Sequence, residues 1–130
     1  MSRLDLADGL RLLHTTHDGE HFGHLSHLRF GWAVLDEADD TDDAVRLVSL
    51  TIRHVSEMGG TPDKYHATVT EFWVRLLAHL RETYPGAGFV EEMAEVYPPL
   101  LDANLPSKHW SNLDGDAKTT WIEPDLIPMP

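Results

Sequence analysis

Histidine is the residue type that stands out. The chain has nine of them, and five, His14, His17, His21, His24 and His27, fall between residues 14 and 27. Neutral imidazole nitrogen is a good ligand for zinc, copper, iron or nickel, and also the usual proton acceptor near neutral pH. The spacing His21-x-x-His24 puts two rings on adjacent turns of one helix face, a workable chelate geometry. His54 and His66 come later, the first near the end and the second near the start of a segment with helical patterning. Such a set suits one divalent first-row transition metal (zinc, iron or copper) held by His21, His24, His54 and His66. No glycine-rich phosphate loop, nucleophile elbow or His-Glu-x-x-His motif accompanies them.

The elements that must position these rings are helical. His21, Leu25, Leu28, Trp32 and Leu35 recur at spacings of four and three, which predicts a helix over 21–35. Residues 36–43 are almost all acidic and read as a solvated loop that caps the next helix, since carboxylates favour a helix N-terminus. They lack the order and the glycine of a calcium loop. A second helix is expected over 42–58, closed by Gly59-Gly60-Thr61-Pro62, and a third over 63–83, closed by Tyr84-Pro85-Gly86. A fourth covers 90–101, interrupted by Pro98-Pro99. Residues 1–20 form an arm or a short helix around Leu6, Leu10 and Leu13. Residues 104–121 have room for a helical turn or two. The proline-punctuated stretch 122–130 is expected to be an extended tail lying along the bundle. No segment alternates as a strand would. The fold class is therefore all-α: one domain over 1–130, three main antiparallel helices and a fourth.

Antiparallel connection gathers the rings. The start of the first main helix, the end of the second and the start of the third share one end of the bundle. His21 and His24, His54, and His66 sit at those three places. At about 100° per residue His24 falls inside the apolar stripe, His27 on its margin, and His66 in line with Trp73 and Leu77. Thr70 lies one turn beyond His66, placed to hold a ring nitrogen or a bound water, or to bond back to its own helix. Tyr65 offers a phenol to the same end, and Glu57 is the nearest carboxylate. His14 and His17 read as an arm or a lid, His79 as exposed, and His109 as a further residue able to reach the site. Trp32, Trp73, Leu28 and Leu77 are core residues first; those nearest the histidines would wall any pocket.

Composition bounds the partners. The 130 residues include 22 acidic and 10 basic ones, a net charge of −12 with neutral histidine, and a pI near 4.9. Such a chain repels phosphate backbones and anionic membrane surfaces, so neither nucleic acid nor membrane is expected as a partner. Apolar residues at 42% supply a core for one domain. Cysteine is absent, which removes disulfides, iron–sulfur clusters and thiolate chemistry. The stretch from Met1 to Asp5 carries no apolar signal core, and no run is long enough to span a bilayer. A cytoplasmic location is expected, and a homodimer is compatible with the composition.

Three stretches resemble a family of small helical bacterial proteins without an assigned reaction. They are His21-Phe22-Gly23-His24-Leu25-Ser26-His27-Leu28-Arg29 leading to Gly31-Trp32, then Lys64-Tyr65-His66-Ala67-Thr68-Val69-Thr70-Glu71-Phe72-Trp73, then Trp121-Ile122-Glu123-Pro124-Asp125-Leu126 ending in Pro128-Met129-Pro130. The resemblance implies a cytoplasmic protein with His24 and His66 at its site, and it carries no catalytic role.

From the residues, the leading expectation is a small metal-dependent enzyme. Its metal would act as Lewis acid or redox centre on a small organic substrate. The alternatives are a pocket with a histidine base and no metal, a non-catalytic metal- or ligand-binding protein such as a metallochaperone, sensor or carrier, and a helical interaction module whose histidines are structural.

Overall fold

Helix ends follow local chemistry in the computed structural model, which describes residues 4–16 and 23–130. Five α-helices run in order: α1 (Leu6–Thr16), α2 (His24–Glu37), α3 (Thr41–Met58), α4 (Ala67–Thr83) and α5 (Val90–Val96). The described residues contain no strand. The acidic loop caps α3 as expected: the Asp40 carboxylate accepts the Asp43 N–H at 2.8 Å. Gly59 closes α3, and Gly60 takes a left-handed φ of 72° that favours glycine.

Three boundaries differ from the periodicity, two of them because of proline. The helix expected from residue 21 begins at His24, with an extended Gly23 as its N-cap. The helix expected from residue 63 begins at Ala67, since Pro62 starts a separate 3-10 turn, Pro62–Lys64, and Tyr65 and His66 are extended. The helix expected over 90–101 stops at Val96, two residues before Pro98, and Pro98–Leu101 forms another 3-10 turn. Two more such turns, Leu105–Lys108 and Gly115–Lys118, occupy the region where one or two helical turns were expected.

Helix α4 packs on both α2 and α3, and α1 packs on α2 and α3. The buried side chains fall into two clusters. One holds Leu28, Trp32, Phe72, Leu76, Met93 and Trp110, joining α2 and α4 to α5 and the C-terminal region. The other holds Leu12, Phe30, Val34, Leu47, Ile52 and Val74, joining α1 and α3 to the opposite faces of α2 and α4. Burial of this kind stabilises by about 25 cal/mol per Å² of apolar surface, so these clusters dominate the folding energy.

Irregular chain after α5 is fixed by hydrogen bonds to polar groups the helices do not use. The Trp110 indole N–H donates to Ile122 O at 3.0 Å. His109 Nδ1–H donates to Ile127 O at 2.7 Å, and Leu126 N–H donates to His109 O. Ser111 donates its backbone N–H and its hydroxyl to the Asp125 carboxylate, which these bonds hold below the usual carboxylate range. Trp121, Ile122 and Met129 pack against the first cluster.

Candidate functional site

A cavity of about 280 Å³ opens between α2, α3 and α4, at the seam of the two apolar clusters. Val48, Ile52 and Val74 wall it from one cluster, Val69, Trp73 and Leu77 from the other. Gly31 of α2 also lines it; a Cβ there would lie 3.2 Å from Leu77 Cδ1, so a side chain would crowd the space. Five polar side chains meet this apolar volume: His24, His27, Lys64, His66 and Thr70. A mostly apolar recess with a few convergent polar groups is the usual form of a small-molecule site.

The three imidazoles differ in what they have left to offer. His66 is the N-cap of α4: its Nδ1 accepts the Val69 N–H at 3.1 Å, so the ring proton sits on Nε2, which donates to Leu113 O at 2.6 Å. Both nitrogens are thus engaged. His24 uses one nitrogen: Nε2 donates to Leu100 O at 2.9 Å, and the ring lies against Trp73 with centroids 4.5 Å apart. Its Nδ1 has no partner among the described residues. His27 keeps solvent access, yet the protein around it pushes its pKa down to about 4, with repulsion from His24 adding to the effect. It is therefore neutral at pH 7. The Thr70 hydroxyl bonds no other described residue, so it is available to a guest.

The structure brings together His24, His66 and Thr70 from among the expected site residues, and adds His27 and Lys64. His54 is half-buried on α3 but does not line the cavity. Ile52 and Val48 are the cavity-facing residues there, and His54 lies about 200° around the helix from Ile52. Tyr65 and Glu57 line a different recess, with Arg53 and Lys118, where Glu57 pairs with Arg53 at 3.2 Å. His109 is buried against Phe72, its ring bonded to Ile127 O. His14 and His79 are exposed. His17 and His21 lie outside the described residues. Among the described residues no three His, Asp or Glu side chains are grouped closely enough to hold a metal ion.

Sequence reasoning missed Lys64, which only the cavity lining brings out. The 3-10 turn that shortens α4 carries Lys64 to the rim, an offset no helical periodicity signals. No helix among the described residues is long and apolar enough to cross a membrane. Comparison with protein-family models, curated proteins and solved structures gave no match.

Proposed function

We propose that this protein binds a small organic molecule in the cavity between α2, α3 and α4. One observation carries the reading: an apolar space of about 280 Å³ lined by His24, whose Nδ1 has no partner among the described residues, and by Thr70, whose hydroxyl bonds no other described residue. A space of roughly 150 Å³ already holds benzene, so this one suits a guest of one ring or a short chain. His24 Nδ1 accepts a hydrogen bond from the guest, or takes a proton if the site turns substrate over. Trp73 and Leu77 supply the contact area. The absence of cysteine suits a cytoplasmic protein.

A metal-dependent enzyme is the second reading, favoured by the pairing of His24 and His27 one turn apart, with His24 Nδ1 without a partner among the described residues. In that case the two rings hold a divalent zinc, iron or copper ion, with further ligands outside the described cluster. His66 joins them only by giving up Leu113 O.

Backbone amide chemical shifts recorded with a panel of one-ring and short-chain compounds test the first reading. Shifts are expected to concentrate on Gly31, Val69, Thr70 and Trp73. Val69→Phe, which fills the space from its wall, should abolish them while leaving the rest of the spectrum in place. Shifts scattered over the surface, or unaffected by Val69→Phe, overturn the assignment.

A further inference from the structure

The cavity has an electrostatic character opposite to that of the molecule around it. Acidic residues number 22 in the chain, yet none of the described residues lining the cavity is acidic. Its ionisable lining consists of Lys64, His24, His27 and His66. The described surface elsewhere pairs arginines with its carboxylates, as in Arg75 with Asp42 and Glu71, and Arg81 with Asp36. Lys64 pairs with no described carboxylate. It is exposed, on the 3-10 turn, and lines the same cavity as Thr70 and the apolar wall.

We infer that the guest is a small amphiphilic anion, a monocarboxylate with one ring or a short aliphatic chain, bound with its apolar part between Trp73, Leu77 and Ile52 and its carboxylate at Lys64 and Thr70. This rests on the small-molecule reading above and names its ligand class. Ammonium and hydroxyl are both donors, and a carboxylate is an acceptor only, so head and site match in hydrogen bonding as well as in charge. The helix ends reinforce the sign. Gly23 and His24 begin α2, with no side-chain cap on that helix, and His66 begins α4; all three residues line the cavity. End residues of two helix N-termini thus line one space, and helix N-termini favour negative charge. A cationic guest would find no described carboxylate to meet it, and an uncharged one would leave Lys64 without a role.

The test is calorimetric titration of the protein with phenylacetate, benzoate and hexanoate, each beside its uncharged amide of nearly equal shape. At least one acid is expected to bind about tenfold more tightly than its amide, with an affinity that falls as salt is added. Lys64→Gln, a change at an exposed position, should remove the difference between acid and amide. Acid and amide binding equally overturns the anion assignment and leaves the cavity reading standing. A difference that survives in Lys64→Gln overturns the role of Lys64. Failure of all six compounds to bind overturns both the ligand class and the cavity reading.

Discussion

The imidazole of His66 links Leu113 to the first turn of α4: Nε2–H reaches Leu113 O at 2.6 Å while Nδ1 receives the Val69 N–H. One side chain therefore caps a helix and holds irregular chain 47 residues away. Replacing it leaves an amide and a carbonyl without partners. His66→Ala is expected to lower stability by about 1–3 kcal/mol in urea denaturation. His66→Asn, itself a good N-cap, should recover part of that. Wild-type stability in His66→Ala would remove the ring from this structural role.

His27 gives the fold a pH response of known sign. Its folded pKa is lowered to about 4, below the 6.5 of a free imidazole. The unfolded chain thus takes up a proton first as pH falls. Fold stability is therefore undiminished by this group above about pH 6.5 and falls as pH drops from 6.5 toward 4. Urea midpoints of wild type and His27→Gln, measured from pH 7.5 to 4, should keep a constant separation above about pH 6.5 and shift below it, the wild type losing stability relative to the uncharged variant. Parallel curves contradict the shift.

Metal uptake separates the two readings of the site. Protein purified without a histidine tag should carry stoichiometric zinc, iron or copper if the second reading holds, and His24→Ala should abolish it because Nδ1 of His24 is the available donor. If the small-molecule reading is right, His24→Ala leaves elemental analysis unchanged and weakens the organic ligand instead.

Gly9 lets α1 approach α3. A Cβ at residue 9 would fall 2.0 Å from Thr51 Oγ1 and 3.3 Å from Leu47 Cδ1. Thr51 is fully buried, its hydroxyl bonded to Leu47 O at 2.8 Å, so it has little freedom to yield. Gly9→Ala is expected to cost about 1–3 kcal/mol, even though alanine is the better helix former. In a double-mutant cycle Thr51→Ala should relieve much of the cost. Additive effects would place the crowding elsewhere.

Much of the framework was legible because local chemistry sets it. Apolar residues at spacings of three and four gave α2, α3 and α4, and the Asp40 cap and the Gly59-Gly60 stop were readable as written. The α4 start was misplaced because His66 matches the stripe of Trp73 and Leu77 in spacing while its backbone is extended. His54 looked convergent with the other rings because the end of a helix can be read from topology. Which way a side chain faces depends on packing, and here Val48 and Ile52 take the inner face.

Composition and periodicity alone determined an acidic, cysteine-free, helical chain with histidines concentrated near the start of α2 and α4. Tertiary structure alone decided what each histidine can still do. Leu100 O, 76 residues from His24, and Leu113 O, 47 from His66, claim ring nitrogens that spacing would leave open. The reason is physical: a ligand nitrogen must have an unshared lone pair, and that depends on which carbonyls the folded chain carries to it.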